Sequence, residues 1–495
     1  MRKFLFDIRS HLIVVTLVAT GLCGCASRSE NREQPSVAAP AASSESATSR
    51  DQNSAVLESF SGEYDSHELS SYLNDVARRL TPKSQPVTLK VVVLDSPIVN
   101  VFTAADGHIY VTRGLLALVN NESQLAGVLS HEVGHISTTS ASSGHASMTP
   151  AITSDQPVIM RDMKVPALDY LHPSAERDEY QASVLGVGYM RDAGYDPSAM
   201  AALLTAMRDY ERLKSQVDGR PPDSISRFDY LTTHPDAINL WRRALNDSGS
   251  KSNGAQSADG DAYLSRIDGL PYGLRAALGL LRGSIYENPL LRVRFVLPGQ
   301  FEILETREHI YALGPKDSVM VFDTVPESYE GPMDEYVAKV WAKGIQLSEL
   351  RRGHLKKMNA AAAVVAIPGS QQAREMRLFA VRVDPTHIYK FRFEYLVELK
   401  TQNEYRFLKT ISTFSTIPEN RAKALRELRL KILDVREGDT VASLASRASL
   451  PKHFQTDFFR ILNGLGATDA VTPGTKVKIV EQQNEGTPFA GVPSR

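Results

Sequence analysis

Cysteine is nearly missing from this chain of 495 residues, which contains only Cys23 and Cys25. Beyond residue 25 there is no thiol that can form a disulfide or bind a metal. A metal site in the rest of the chain must therefore use histidine and carboxylate ligands.

The chain also lacks a surplus of charge and, after its N-terminal region, a long apolar run. Its 56 Lys and Arg residues balance 57 Asp and Glu residues, which excludes the basic excess typical of nucleic-acid-binding proteins. The apolar stretch from Ala360 to Ile367 is too short to span a bilayer. The remaining composition is that of an ordinary globular protein with roughly two to four domains.

The first 25 residues are interpreted as a targeting segment. A basic start precedes an apolar run from Leu12 to Leu22, which is too short for a mature transmembrane helix. The run ends in Leu22–Cys25, which resembles a bacterial lipobox, so Cys25 is predicted to be lipidated and Cys23 is a poorer acceptor. A plain secretory signal is the alternative. The residue after the acceptor is Ala26 rather than Asp, and in this the chain resembles lipoproteins that are sent to the outer membrane. Residues 26–53 are predicted to be a flexible tether.

The sequence His131-Glu132-Val133-Gly134-His135 is an HExxH segment. On a helix, residues four apart share a face, so His131 and His135 can bind one metal ion. Glu132 lies beside that face and can accept a proton from water at the metal. The alternative is a helix with two incidental surface histidines, but this does not account for the glutamate between them.

The flanking residues predict that this segment is helical. Asn121 and Gln124 have the spacing of a capping box that would start the helix. An apolar stripe at helical spacing follows: Leu125, Leu129, Val133 and Ile136. The stretches Val87–Leu94 and His108–Thr112 read as strands before this helix. We expect a strand before this helix to offer its edge to an extended peptide substrate.

A third metal ligand must come from elsewhere in the chain. A second helical pattern runs from Ala175 to Ala193 and carries Glu176, Asp178 and Glu179 near its start. By chemistry alone any of these three carboxylates can serve.

A resemblance to a known family distinguishes among them. Phe102, the stretch "GHIYVTRG" at 107–114 and "LSHEVGHI" at 129–136 resemble metallopeptidase family forty-eight, which includes the HtpX, BepA and CAAX-prenyl-protease types. In that family the third ligand begins a Glu-x-x-Ala-Asp motif, which implies Glu179 here. The family's Asp is replaced by Ser183, and its usual Ser-Arg pair by Ala175-Glu176. Loss of the Asp can weaken metal affinity, because that residue orients a ligand histidine.

A further histidine, His234, lies in a Thr-His-Pro segment that resembles the BepA-like branch of the family. The resemblance implies a residue that approaches the metal, either as an inhibitory switch or as a stabiliser of the transition state. A histidine that caps the helix after Pro235 is the alternative. The family's later Arg is replaced by Leu240, with Arg242 and Arg243 nearby. His145 and His172 are interpreted as surface residues.

The predicted fold class is α+β, with a mainly helical zincin-type metallopeptidase domain and a small sheet at residues 54–250. A linker or connector follows at 251–288, then an α+β sandwich-like module at 289–425 that resembles the PsbP-like fold. Strand-like stretches in this module are Val293–Phe295, Met320–Phe322, Leu378–Val383 and Tyr389–Val397, and Tyr336–Leu347 reads as a helix.

Residues 430–482 resemble a small βααβ LysM-like domain, and residues 483–495 form a tail. The resemblance rests on Val435–Ala445, Asn463–Leu465 and Pro473–Ile479. LysM domains often bind the glycan of peptidoglycan, so peptidoglycan is an expected partner. A divergent domain without sugar binding is the alternative, because Phe454, Phe458 and Phe459 are the main aromatic residues here.

These features predict a zinc endopeptidase with one Zn²⁺ per chain, tethered by lipid to the outer membrane and facing the periplasm. Its expected substrates are misfolded or misassembled envelope proteins. Zinc is expected on His131, His135 and Glu179, with Glu132 as the catalytic base and His234 as a further catalytic residue. The alternatives are a weakly active or inactive envelope chaperone or scaffold that binds peptidoglycan, and a peptidoglycan hydrolase.

Overall fold

The computed structural model describes residues 47–81, 89–104, 107–141, 158–161, 163, 165–171, 173–221, 224–249, 260–368 and 372–483. The predicted signal peptide with Cys25, most of the tether, His145, His172 and the tail after residue 483 lie outside these residues. Regular structure begins within the segment interpreted as a tether, because the first helix starts at Ala47. None of the helices in the described ranges has the length and apolarity needed to cross a membrane.

The N-terminal part of the described chain is mainly helical and contains a small sheet. Its helices are α1 (Ala47–Ser59), α2 (His67–Leu80), α3 (Arg113–Leu118), α4 (Glu122–Ala141), α5 (Val158–Arg161), α6 (Glu176–Asp192), α7 (Ser198–Val217), α8 (Tyr230–Thr233) and α9 (Ala237–Asp247). Its strands are β1 (Lys90–Leu94), β2 (Val101–Thr103) and β3 (His108–Thr112).

The three strands form a sheet in the order β1-β3-β2, with β1 parallel and β2 antiparallel to β3. The expectation that a strand before the HExxH helix offers its edge to a peptide therefore stays a prediction for the outer strands β1 and β2, whereas His108–Thr112 is the central strand. Both edges of this strand pair with neighbours. It runs parallel to β1 on one side and returns antiparallel along β2 on the other before the chain enters α3.

Helix α4 lies in the core of this helical part. Leu125, Leu129 and Val133 are fully buried, as the apolar stripe predicts. The predicted capping interactions form with one difference. Asn121 accepts a hydrogen bond from the backbone N–H of Gln124 at 2.9 Å, whereas the Gln124 side chain accepts from Asn120 rather than from Asn121. Both bonds satisfy N–H groups that the first turn of a helix leaves open.

The middle of the chain is rich in strands. After α10 (Gly260–Arg266), its strands are β4 (Pro271–Tyr272), β5 (Leu280–Arg282), β6 (Ile285–Asn288), β7 (Val293–Val296), β8 (Glu302–Glu305), β9 (His309–Leu313), β10 (Val319–Asp323), β11 (Ser348–Leu355), β12 (Met358–Ile367), β13 (Arg374–Asp384), β14 (His387–Leu396) and β15 (Ser415–Thr416). The helices here are α11 (Met333–Glu335), α12 (Lys400–Thr413) and α13 (Glu419–Ala424).

Eleven of these strands form a seven-stranded sheet in the order β11-β12-β13-β14-β10-β9-β8 and a four-stranded sheet in the order β15-β7-β6-β5. The remaining strand, β4, pairs with a strand of the C-terminal segment. Aromatic side chains of both sheets and of α12 share one core, which contains Phe295, Phe322, Phe391 and Phe407. This layered arrangement agrees with the expected mixture of helix and sheet.

The helix expected at Tyr336–Leu347 is shorter than predicted. A π-helical turn covers Tyr336–Trp341 directly after α11, and the chain then leaves the helical path. From Ser348 the chain forms strand β11, which pairs antiparallel with β12, and the helix ends before this strand begins. All four strand-like stretches predicted in this region form strands.

The C-terminal elements follow the order βααβ, with β16 (Leu428–Asp434), α14 (Val441–Ala445), α15 (Gln455–Leu462) and β17 (Lys476–Gln482). This segment packs directly on the helical part. Leu430, Leu462 and Val480 lie in the same hydrophobic core as α4. The buried Lys478 donates hydrogen bonds to the backbone carbonyls of Ala117, Leu118 and Val119, and thereby caps the C-terminal end of α3.

Candidate metal centre

Four side chains that could bind a metal ion lie close together: His131, His135, Glu179 and His234. The first two come from α4, and Glu179 comes from α6. Gly134, inside the HExxH segment, allows these two helices to approach closely, because a Cβ atom there would lie 2.6 Å from the carbonyl oxygen of Ala182. The close approach brings the first turn of α6 against His131 and His135. Of the three candidate carboxylates, Glu179 is fully buried against the histidines, whereas Glu176 and Asp178 are exposed.

The distances among these side chains fit a single metal ion. The Nε2 atoms of His131 and His135 lie 3.1 Å apart. Oε2 of Glu179 lies 3.3 Å from Nε2 of His131, and Oε1 lies 3.3 Å from Nε2 of His135. Ligand atoms bound to zinc at about 2.0–2.1 Å in tetrahedral geometry are separated by roughly 3.3 Å. The donor set of two imidazoles and one carboxylate therefore has the spacing expected around a single metal ion.

Burial and charge favour the protonation states that bind a metal. Burial lowers the pKa of His131, which favours the neutral imidazole. Burial alone would raise the pKa of Glu179, but hydrogen bonds from His131 and His135 outweigh it and hold the carboxyl well below its usual range. The structure thus presents the carboxylate of Glu179 beside the neutral imidazole of His131, as metal binding requires.

His234 completes the cluster and is the C-terminal cap of the short helix α8. Its candidate ligand atom and those of His131, His135 and Glu179 all lie within 4.8 Å of one another. In this arrangement its Nε2 atom faces the base candidate, with a distance of 3.3 Å to Oε1 of Glu132. Burial opposes a charge on His234, but the hydrogen bond and the charge of Glu132 raise its pKa above the ordinary value.

Three residues that the sequence analysis did not single out hold His234 in place. The ring of Tyr230 stacks on the imidazole at a centroid distance of 4.0 Å and an interplanar angle of 17°. Thr233 Oγ lies 2.9 Å from Nδ1 of His234 and 3.5 Å from the side-chain oxygen of Asn100. The spacing of Tyr230 and His234, four residues apart on one helical turn, was the available signal.

Two of the three departures from the family pattern, Ser183 and Leu240, have different structural consequences. Ser183 Oγ lies 3.5 Å from Nδ1 of His131, at the limit of a hydrogen bond, so the serine orients this ligand only weakly. Leu240, at the family's Arg position, is buried in the core. Arg242 and Arg243 are exposed, and Arg243 stacks over the ring of Tyr180. None of these three residues supplies a positive charge to the cluster.

Comparison with known proteins agrees with this geometry. Residues 63–243 match the family model described as Peptidase family M48. The chain is 30% identical over 164 residues to the mitochondrial metalloendopeptidase OMA1 of Arabidopsis thaliana, which covers 32% of this chain and 31% of that protein. It is 22% identical over 204 residues to the beta-barrel assembly-enhancing protease of Escherichia coli K12, which covers 37% of this chain and 39% of that protein. The chain thus spans well under half the length of these relatives.

Two solved structures give only distant matches. A protein from Bacteroides thetaiotaomicron matches at a TM-score of 0.22 with 9% identity, over 32% of this chain and 55% of that one. LpqN of Mycobacterium tuberculosis matches at a TM-score of 0.20 with 11% identity, over 26% of this chain and 83% of that one. Neither match is close enough to carry an argument about the fold.

Proposed function

Residues 63–243 form a domain of peptidase family M48, and from this premise we propose that the chain is a zinc-dependent endopeptidase of the bacterial cell envelope. The observation that carries the proposal is the convergence of His131, His135 and Glu179 at ligand spacing, with Glu132 beside them. Proteins or peptides are the proposed substrates, and hydrolysis of a peptide bond is the proposed reaction.

The side chains proposed to hold the zinc are His131, His135 and Glu179. Zinc bound there would polarise the peptide carbonyl and lower the pKa of water toward neutrality. The side chain of Glu132 is nearly inaccessible to solvent, which favours strong electrostatic interactions at the reacting centre.

Glu132 is proposed to act as the general base. Its carboxylate accepts a proton from the attacking water and then gives that proton to the nitrogen of the leaving amine. The base must be free for this role. In the present arrangement its Oε1 atom faces His234, and we propose that this contact opens or changes its proton sharing when a substrate is processed.

The location in the envelope is proposed from the N-terminal sequence. Lipidation of Cys25 would tether the chain to a membrane, and Ala26 supports placement at the outer membrane facing the periplasm. The relative named for β-barrel assembly supports substrates among misassembled envelope proteins. The βααβ order of residues 428–482 supports a LysM-like module that binds peptidoglycan glycan.

A second candidate function is a weakly active or inactive envelope scaffold or chaperone. The observation that favours it is the 3.5 Å separation between Ser183 and His131, since poor orientation of a ligand histidine weakens metal sites. A peptidoglycan hydrolase is a third candidate, which the match to a peptidase family disfavours.

The deciding experiment uses the full chain and its Glu132→Gln variant. We expect both proteins to bind about one zinc per chain and the variant to cleave unfolded casein about 100- to 10,000-fold more slowly, which is the usual contribution of a general base. Glu176→Gln, an exposed residue of the same type on α6, is the matched control and should leave the rate unchanged. Equal cleavage by Glu132→Gln and the unmodified chain would refute the assigned base. Zinc binding without cleavage by either protein would favour the scaffold, and release of muropeptides from sacculi would favour the third candidate.

A further inference from the structure

A cavity of about 800 Å³ lies away from the candidate metal centre. Its walls come from the loop before β2, from α3, α7 and residues 226–229 of the helical part, from residues 271–303, and from the C-terminal segment. None of the residues assigned to the metal centre lines it. Its volume lies within the range of roughly 300–1,000 Å³ that is typical of ligand pockets.

The cavity is lined largely by apolar side chains. Six of them, contributed by all three parts of the chain, are Ile98, Leu118, Phe228, Leu281, Leu297 and Phe458. An occupant must therefore have an apolar body, because apolar surface is stabilised when it leaves water.

One polar feature of the lining is a buried carboxyl group. Asp229 is 1% exposed, and its Oδ1 atom accepts a hydrogen bond from the backbone N–H of Leu231 at 2.9 Å. Its Oδ2 atom has no hydrogen-bond partner among the described residues. Burial and the nearby charge of Glu211 raise the pKa of Asp229 well above its usual range, and a cationic group beside Oδ2 would favour the ionised form of this carboxyl.

The charges around Asp229 explain why it lacks a partner. Arg220 is shared among three carboxylates, those of Glu211, Asp218 and Glu302. Lys214, which also lines the cavity, pairs with Asp218. The three carboxylates of this network thus face two basic groups, so a cationic group in the cavity would find a surplus of negative charge even while Asp229 keeps its proton.

The second polar feature of the lining is a buried guanidinium group. Arg113 is 1% exposed and pairs with Asp95 through Nε, while Nη1 donates to the carbonyl oxygen of Pro271 at 2.8 Å. Its Nη2 atom has no partner among the described residues. An unsatisfied buried donor of this kind is costly and marks a place where an acceptor is needed.

The charges around Arg113 have the opposite balance. Asp95 is shared between Arg113 and Arg275, and Glu427 is shared between Arg275 and Arg429. Three guanidinium groups thus share two carboxylates, and a third acidic group near Arg113, Glu305, keeps its proton at neutral pH because burial raises its pKa to about 8. Arg282 also lines the cavity, but its side chain is exposed, so solvent screens its positive charge.

We propose that the cavity is a binding site for a short apolar peptide with free termini, whose amino group meets Asp229 and whose carboxylate meets Arg113. A peptide combines the required apolar body with one cationic and one anionic end. The choice of a peptide over other apolar zwitterions rests on the proposed peptidase function. The site itself is separate from the metal centre and takes no part in hydrolysis.

The test uses calorimetric titration of the full chain carrying Glu132→Gln, so that no probe is cleaved. The probes are trileucine with free termini, N-acetylated trileucine and C-amidated trileucine. Each modification removes one terminal charge and should weaken binding about tenfold, the usual size of a hydrogen bond to a charged group. Equal binding of all three probes, or no binding of trileucine, would overturn the proposal.

Two further substitutions separate this cavity from the catalytic cleft. Asp229→Asn keeps the acceptor for Leu231 but removes the acid, so free and acetylated trileucine should then bind within about twofold of each other. Leu281→Trp fills the cavity and should abolish binding of every probe, whereas the exposed control Asp192→Asn should change nothing. Binding that survives Leu281→Trp would place the peptide elsewhere and refute the site. Because no hydrolysis is measured, an inactive metal centre would leave this result intact.

Discussion

The Nε2 atom of His234 lies 3.3 Å from Oε1 of Glu132, so the histidine beside the candidate metal centre contacts the proposed base. The contact is supported from behind by the stacked ring of Tyr230 and by the hydroxyl of Thr233. A catalytic base that is held by a neighbouring imidazole is less available to accept a proton from water. The arrangement is therefore that of a restrained site.

Replacing His234 with alanine is expected to increase cleavage of a short fluorogenic peptide severalfold, because it frees Glu132 without removing a proposed metal ligand. The kcat and KM values of the two proteins would be compared at equal zinc content. Thr233→Val is the matched partial variant, since it removes only the contact of 2.9 Å behind the ring, and it should give a smaller increase. A fall in kcat for His234→Ala would instead assign the histidine to transition-state stabilisation.

Ser183 offers a test of how far its departure from the family pattern limits metal binding. Aspartate at this position would extend a carboxylate toward Nδ1 of His131, which the serine approaches only to 3.5 Å. Ser183→Asp should therefore tighten zinc binding about tenfold, at the lower end of the usual effect of residues that orient a ligand. Competition with a zinc chelator would measure the affinity. Ser183→Ala should change it by less than about twofold, and a large loss in that control would show that the serine already orients His131.

The helices that carry the centre could be predicted because their signals are local. The capping residues Asn121 and Gln124 and the apolar stripe predicted α4 within a residue of its observed start. The helix predicted from Ala175 to Ala193 is observed from Glu176 to Asp192. The recognition of the family from these segments is confirmed by the match of residues 63–243.

Contacts between distant segments could not be predicted in the same way. The order β1-β3-β2 depends on which strands pair with each other, and no local sequence pattern specifies this pairing. The burial of Lys478 against the end of α3 joins residues about 360 positions apart, and its sequence context is that of an exposed strand lysine. The stacking of Tyr230 on His234 depends on the conformation of α8, which has only four residues, so the four-residue spacing by itself does not predict it.

Gly134 is expected to be essential for the distance between α4 and α6. A methyl group there would lie 2.6 Å from the carbonyl oxygen of Ala182, a contact that only movement of the backbone can relieve. Gly134→Ala should therefore displace Glu179, weaken zinc binding at least about tenfold and lower the melting temperature.

Gly188→Ala is the matched control on α6, because nothing lies within 4 Å of the added methyl group. This substitution should raise stability by about 0.5–1 kcal/mol through helix propensity alone, and zinc affinity should stay unchanged. Zinc titration and thermal unfolding would be measured for both variants. Normal zinc affinity in Gly134→Ala would show that the close approach of the helices does not position Glu179.

The buried carboxyl group of Glu305 is expected to make the free energy of unfolding depend on pH. This carboxyl group is 2% exposed, and neither of its oxygen atoms has a hydrogen-bond partner among the described residues. Burial raises its pKa to about 8, an effect that Arg113 opposes and Asp95 supports. At pH 7 the folded chain therefore keeps a proton on Glu305 that the unfolded chain releases.

The direction of the effect follows from this difference in bound protons. Below the ordinary pKa of 4.5 both states are protonated, and Glu305 adds no dependence on pH. Above it the unfolded state loses its proton first, so the free energy of unfolding falls until the folded carboxyl ionises near pH 8. Between pH 5 and 8 the loss due to this group should be on the order of 3 kcal/mol.

Glu305→Gln should remove this decline, since the amide does not titrate. Urea unfolding of both proteins at pH 5, 6, 7 and 8 would give the difference in unfolding free energy, which should grow in favour of the variant as the pH rises. The control is Glu308→Gln, which replaces an exposed glutamate in the turn between β8 and β9. It should leave the profile of the unmodified protein unchanged. Parallel profiles for Glu305→Gln and the unmodified protein would mean that Glu305 is already ionised in the folded state, with one of the neighbouring guanidinium groups as its counter-charge.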